Sequence, residues 1–432
     1  MQKNENRPGY KKTKVGWIPG GWDAATLGSV TSRIGDGIHT TPEYVENSRY
    51  FFVNGNNLTD GRVVIFPETK CVSEDEHLKH KKDLGSSTLL LSINGTVGNV
   101  AYYRDEPVIL GKSAAYINCA TSLSKHFAFA FLSSSKAHAF FRGEWTGSTI
   151  MNLSLASLRQ MHIPLPSLPE QEAIAEVLEC WDKAIRNYEK KIERKRNIKK
   201  GLMQRLLAGK QRLPGFSEKW KKVRLKTVGK IVSGGTPSTE IPSYWNGSIP
   251  WCTPTEIVKL HGKFIHSTER YITDMGLRES SANLLPEKSL IVCTRATVGD
   301  CAINSVPMAT NQGFKSIIPN SENDVEFIYY KICCMKNHFI RYASGSTFLE
   351  ISKRDFEKSK LSTPVIAEQR AIATVLSSAD IEIAALERKL AVLQDQKRYL
   401  LNNLVTGTIR LPKFVKGKEG TNKGRPYGKD GA

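Results

Sequence analysis

Apolar residues recur at alternating spacings of four and three along two long stretches of this chain. The first stripe holds Ile174, Leu178, Trp181, Ile185, Tyr188, Ile192, Leu202 and Leu206, with Lys195 and Lys199 inside it. The second holds Ile372, Leu376, Ile383, Leu386, Leu390, Leu393, Leu400 and Leu404, with Ala379 and Lys397 inside it. A 4-3 rhythm held over four heptads keeps one helix face apolar and predicts a coiled-coil seam. Lys199 and Lys397 interrupt the two seams at equivalent places. Snorkelling of a long lysine stem explains them, with a register-setting role as the alternative.

The limits of the first helix are legible too. Ser167 suits an N-cap, Pro169 the first turn, and Glu170 would complete an S-x-x-E capping box. The helix is expected to run to about Ala208 and stop at Gly209. The second start carries Thr363-Pro364 without a glutamate three residues on. Each helix precedes a turn-rich stretch or follows one. Residues 23–165 place short β-rich runs at 62–66, 88–93 and 114–118 among Gly, Asn and Thr, with a helix over 124–141. Residues 217–363 predict strands at 289–294 and 314–318 and a helix over 324–342.

These two halves echo each other. PEQEAIAEVL at residues 169–178 returns as AEQRAIATVL at 367–376, an offset of 198 residues. The same offset relates Asp182 to Asp380, Gly209 to Gly407, Trp22 to Trp220, and RLPGF (212–216) to RLPKF (410–414). A period this long excludes a solenoid and implies two copies of one module. The expected domains are residues 1–165 and 213–363 as globular heads, 166–212 and 364–411 as helical spacers, and 412–432 as a basic tail. Burying both seams by mutual pairing predicts an α+β protein with two similar mixed, strand-rich globular domains. A long antiparallel two-helix coiled coil would separate them in a pseudo-two-fold arrangement.

Charge narrows the partner. The chain of 432 residues carries 62 Lys and Arg against 42 Asp and Glu, a formal net charge of +20. This favours a polyanion, double-stranded DNA above all, over an anionic membrane surface, since no amphipathic anchor stands out. No apolar stretch approaches the ~20 residues of a membrane span. Residues 1–12 lack an apolar signal core. The eight cysteines have no CxxC spacing and read as reduced thiols of a cytoplasmic protein. Two similar, non-identical heads on a rigid spacer suit a bipartite, asymmetric target, because successive major-groove faces recur every ~34 Å.

The doubled PEQ-type helix start, the helix ends LMQRLLAGKQRLPGF and LLNNLVTGTIRLPKF, and the W-x4-L openings at Trp22 and Trp220 resemble the specificity subunit of type I restriction–modification systems. The resemblance covers nearly the whole chain. Ala367 departs from it by standing where the first copy has Pro169. The resemblance implies that each head is a target-recognition domain reading one half of a split DNA sequence. It also implies that the paired helices set the gap and dock two methyltransferase (M) subunits, with restriction (R) subunits joining for cleavage. On this reading the chain is non-catalytic and holds no cofactor or metal. S-adenosylmethionine, ATP and Mg belong to the partners, which methylate a flipped adenine.

By the same resemblance the recurring recognition motifs fall, in the first head, on Thr40, Asn54, Asn56, Asn57, Asn94, Thr96, Lys112 and Ser148. In the second they fall on Thr236, Trp245, Thr253, Thr255, Arg295, Thr297, Asn311, Gln312, Lys315 and Ser346. The residue types fit DNA: Asn and Gln pair adenine edges, Arg pairs guanine, and Lys and Thr hold phosphates. The glycines among them shape turns. The basic run at residues 190–200 could touch phosphates or simply be a solvated helix face.

Other motifs compete. Asp60, Glu68 and Lys70 have the D…ExK form of metal-dependent nucleases, which leaves a freestanding nuclease as one alternative and a protein-binding scaffold as another. Gly111-Lys112-Ser113 ends like a P-loop, but Glu106 occupies the place of its first glycine. His77 and His80 lack further ligands nearby and read as a surface loop.

Overall fold

A computed structural model describes residues 8–147, 150–345 and 349–415. These residues form an α+β protein of two compact units. The first takes in the described residues up to Asn187 together with those from Leu390 onward, and the second is Tyr188–Lys389. The heptad stretches are the helices Leu168–Leu206 and Ile366–Leu404, of 39 residues each, about 58 Å long at the α-helical rise. The start of the first helix and the end of the second lie in the first unit, and the converse portions lie in the second.

Within each unit the two helix portions run antiparallel. In the first, Glu170 meets Arg410 and Asp182 meets Lys397, so positions rise along one helix as they fall along the other. In the second, Lys195 pairs with Glu382, Arg196 with Glu387 and Lys199 with Asp380. The apolar stripes lie between them. Ile174, Leu178, Ile185 and Leu404 are buried in the first unit, as are Ile192, Leu206, Ile372, Leu376 and Ile383 in the second. Trp181, Tyr188, Leu202, Leu386, Leu390, Leu393 and Leu400 are half-buried. The two seam lysines do more than snorkel: each crosses to the aspartate of the facing helix. Both helices end on a glycine in the left-handed region, Gly209 (φ +67°) and Gly407 (φ +69°). A Cβ on Gly407 would also lie 2.3 Å from Pro19 Cδ, so both backbone conformation and space exclude a side chain there.

The heads share a plan. In the first unit, strands Val100–Tyr102, Thr88–Ser92, Ala114–Cys119 and Thr31–Asp36 form an antiparallel sheet in that order. Thr88–Ser92 is buried along its whole length, consistent with its unbroken apolar centre Leu89–Leu90–Leu91. In the second unit, Cys301–Asn304, Leu290–Val292, Lys315–Pro319 and Gly229–Ser233 repeat that order, with Phe264–Ile265 added at one edge. Each head has a second, smaller sheet. In the first it contains Val108–Leu110, Tyr50–Val53 and Cys71–Val72, extended by Tyr44–Val45. In the second it is Ala309–Thr310, Trp245–Cys252 and Tyr271–Ile272. The main sheets pack against helices through Phe127, Phe131 and Phe141 in one core and Phe327, Tyr330 and Phe339 in the other.

Three elements differ from their sequence expectation. The helix expected over 124–141 is two, Lys125–Leu132 and Ser135–Glu144, because Ser134 accepts a hydrogen bond from Ala137 N and starts a new helix. The stretch 324–342 also divides, into Val325–Cys334 and Lys336–Tyr342, here without a side-chain cap at Met335. The strand expected over 62–66 pairs only across Arg62–Val63, after a hairpin turn at Asp60 (φ +49°) and Gly61 (φ +74°). All eight cysteines are free thiols. Burial pushes Cys119 and Cys293 up to about 12, keeping them protonated at neutral pH. No helix among the described residues is long and apolar enough to cross a membrane.

Candidate nucleic-acid interface

The smaller sheet of the second head brings distant residues to one end. Trp245–Cys252 and Ala309–Thr310 are parallel, with Trp251 beside Ala309 and Cys252 beside Thr310. Parallel pairing puts both exits on the same side, and Asn311 N donates to Cys252 O at 3.1 Å. Thr253 and Asn311 therefore lie at one edge. Tyr271–Ile272 runs antiparallel to them, so its entry residue Arg270 joins the same end, where Trp251 N donates to Arg270 O at 3.0 Å. The Gly234–Thr236 segment crosses above. Gly235 N donates to Thr310 O at 2.8 Å, Gly235 O accepts from Trp251 Nε1 at 2.9 Å, and the Thr236 hydroxyl bonds the Gln312 side chain.

Of the residues expected from the motifs, Thr236, Thr253, Asn311 and Gln312 thus meet on this rim. Thr255 is exposed on the first turn of the short helix Pro254–Lys259. Arg295 is exposed and pairs with Glu350 at 3.7 Å. Several of these polar atoms already have work within the fold. Thr253 caps its helix with Glu256, whose carboxylate accepts from Thr253 N at 2.6 Å. Asn311 Oδ1 accepts from Gly313 N at 2.9 Å. Trp245 Nε1 donates to Ser238 O at 2.9 Å. Thr297 holds its hydroxyl buried. Half-buried Lys315 has its ammonium pKa lowered by desolvation, against the opposing pull of Glu350. Ser346 lies outside the described residues.

The first head builds its rim by the same bonds. Phe52 N donates to Lys70 O at 2.9 Å, Gly111 N to Val53 O at 2.8 Å, and Ile38 N to Leu110 O at 2.8 Å. Lys70 therefore occupies the place of Arg270, and Phe52 that of Trp251. Asn54 and Ser113 join through Ser113 Oγ to Asn54 Oδ1 at 2.8 Å. Thr40, Asn56, Thr96 and Lys112 are exposed, and Asn94 bonds Asn152 at 3.3 Å. Asn57, only 4% exposed, accepts from Asn54 N at 3.0 Å and donates to Val64 O at 2.9 Å and Thr69 Oγ1 at 3.2 Å. Its amide holds its own loop together. Ser148 lies outside the described residues. Asp60 is the hairpin-turn residue, and no cluster of His, Cys, Asp and Glu able to hold a metal occurs among the described residues. His77 lies on the helix Glu74–His80, rather than in a loop, and stacks on Tyr50.

A different constellation joins head and helices. Glu170, expected to close a capping box on Ser167, is 2% exposed and turns inward. It accepts from Trp22 Nε1 at 2.9 Å and takes a bidentate pair from Arg410 at 2.9 and 2.7 Å. In the second unit, Glu368 takes Trp220 Nε1 at 3.2 Å and Arg212 at 2.6 and 2.7 Å. The neighbouring glutamine acts on the head. Gln171 accepts from Ser124 N at 2.8 Å, and Gln369 accepts from Asp324 N at 2.9 Å. The repeated Trp, Glu-Gln and RLP motifs are one clamp, formed twice, each time with an arginine from the other repeat. The 198-residue echo marked these residues, but their partners lie 148 and 240 positions away and left no local trace. Along the helix of the second unit, an open surface depression is lined by Lys190, Glu193, Arg194, Asn197, Gln204 and Arg205. Lys195 and Arg196 of the same basic run are paired with Glu382 and Glu387.

Residues 19–195 and 217–395 each match the family described as "Type I restriction modification DNA specificity domain". The MjaIX type I restriction enzyme specificity subunit of Methanocaldococcus jannaschii is 34% identical over 186 residues, which is 43% of this chain and 43% of that one. That alignment spans less than half of either chain. A longer match, to the provisionally named MjaX specificity subunit of the same organism, is 24% identical and covers 95% of this chain and 98% of that one. Among solved structures, the S subunit of a type I restriction–modification system from M. genitalium has a TM-score of 0.54 at 18% identity, covering 90% of this chain and 96% of that one. A chain from a structure of a type I R-M system has a TM-score of 0.60 at 19% identity, covering 91% and 99%. At such identities the likeness is one of fold.

Proposed function

The chain belongs to the type I restriction–modification DNA specificity family, and from that premise we propose that it is the sequence-reading subunit of such a complex. Each head reads one half of an asymmetric, two-part duplex target. The helices set the gap between the halves and dock the methyltransferase subunits, and restriction subunits join for cleavage. The chain itself performs no chemistry. S-adenosylmethionine, ATP and Mg serve the partner subunits.

One observation supports this reading most. The two heads keep the same small sheet and the same rim bonds while changing the side chains on the rim: Thr253, Asn311 and Gln312 in one, Asn54, Gly111 and Lys112 in the other. Amides suit adenine edges and cations suit guanine or phosphate, so a shared scaffold with divergent rims fits two different half-sites. The net charge of +20 supplies the non-specific attraction that precedes reading. Methylome sequencing of cells expressing the chain with its methyltransferase partner tests the proposal. One split, asymmetric motif is expected; methylation scattered without a motif would overturn it.

A further inference from the structure

We propose that Arg270 is a guanine-reading side chain of the second head. This rests on the DNA-reading function above and adds to it a residue that none of the sequence motifs marks. Arg270 is exposed and lies over Trp245, with its guanidinium carbon 3.7 Å from the ring centroid and 5.0 Å from that of Trp251. The two indoles meet edge to face at 5.0 Å. Each is fixed by its own ring N–H, Trp245 to Ser238 O and Trp251 to Gly235 O, both at 2.9 Å. The Arg270 carbonyl is held from two sides, by Trp251 N and by Thr268 Oγ1 at 2.7 Å. The side chain thus packs against two indoles that are each held by a hydrogen bond.

The acids near it in sequence are engaged elsewhere. Glu269 pairs with Lys259 at 3.2 Å, and Glu256 accepts from Thr253 N and from Glu269 N. No carboxylate pairs with Arg270 among the described residues. Stacking occupies the face of a guanidinium and leaves its N–H edge open. The strand pairing puts the Arg270 backbone at the same sheet end as Thr253 and Asn311.

The choice between a base and a phosphate follows from the cost of such a platform. A phosphate is held well by a mobile lysine, and the first head has Lys70 at the equivalent place beside Phe52. An arginine packed against two tryptophans favours a contact whose strength depends on how its guanidinium is oriented. Bidentate donation to guanine O6 and N7 is such a contact.

The test uses the assembled complex with its methyltransferase partner, comparing wild type with Arg270→Lys and Arg270→Ala. Wild type should methylate one split motif with a guanine in the half read by the second head. Both variants should relax that one position, with discrimination falling roughly five- to hundred-fold, and should leave the other half unchanged. Lysine keeps the charge and the apolar cover, so relaxation by Arg270→Lys at an unchanged melting temperature separates reading from folding. A uniform loss of affinity with a shallower salt dependence would make Arg270 a phosphate contact and overturn the inference. So would an unchanged motif, or relaxation in both halves. Failure of wild type to give any motif would instead overturn the function on which the inference rests.

Discussion

At one register position the two heads part company. In the second, Arg270 lies on two tryptophans; in the first, Lys70 stands beside Phe52. Behind both, the backbone bonds are the same. The clamps behave in the opposite way: Trp22, Glu170 and Arg410 in one unit are matched residue for residue by Trp220, Glu368 and Arg212 in the other. Divergence is therefore concentrated where a ligand would be read, and identity where head and helices are joined. Under the proposed function, keeping the joint and changing the rims would keep the assembly and change the specificity.

The largest expected effect is on the joint. Arg410→Ala leaves the Glu170 carboxylate buried without its ion pair, which should destabilise the first unit by about 3–5 kcal/mol. Arg212→Ala should act in the same direction on the second unit. Chemical denaturation with hydrogen exchange resolved by unit would measure both. If one clamp proved dispensable, the equivalence of the two joints would be broken.

A smaller effect should sharpen the comparison between the helix portions. Asp182→Asn removes a partly exposed pair with Lys397 and should cost about 0.5–1 kcal/mol, less in high salt. Asp380→Asn should cost more, because Asp380 also accepts from Tyr330 Oη at 2.5 Å and pairs with Lys199. Equal losses in a denaturant titration at low salt would mean that the Tyr330 bond contributes nothing.

The helices, their antiparallel pairing and the β-rich heads were legible in the sequence, because heptad spacing and turn chemistry are local signals. The helix breaks at Ser134 and Met335 were not, since the helical stretches resume within one to three residues of each break and read as continuous. Glu170 was misread for a related reason. S-x-x-E is a sound capping signature, but a carboxylate facing Arg410 and Trp22 gains more by turning inward. The motif positions Thr253, Asn311 and Gln312 lie together on one rim. That Asn57 is bound up in its own loop was not visible, because its partners Val64 and Thr69 are ordinary turn residues. Arg270 escaped notice altogether. Only the pairing of Tyr271 with Pro250 brings it to the rim, and strand register across a separation of 21 positions has no local signal.

The central claim is that the two heads read independently. Its most direct test is exchange of residues 23–165 for the corresponding head of another family member, followed by methylome sequencing of the assembled complex. One half-site should change, while the other half-site and the gap stay as they were. A change in both half-sites, or in neither, would contradict the account.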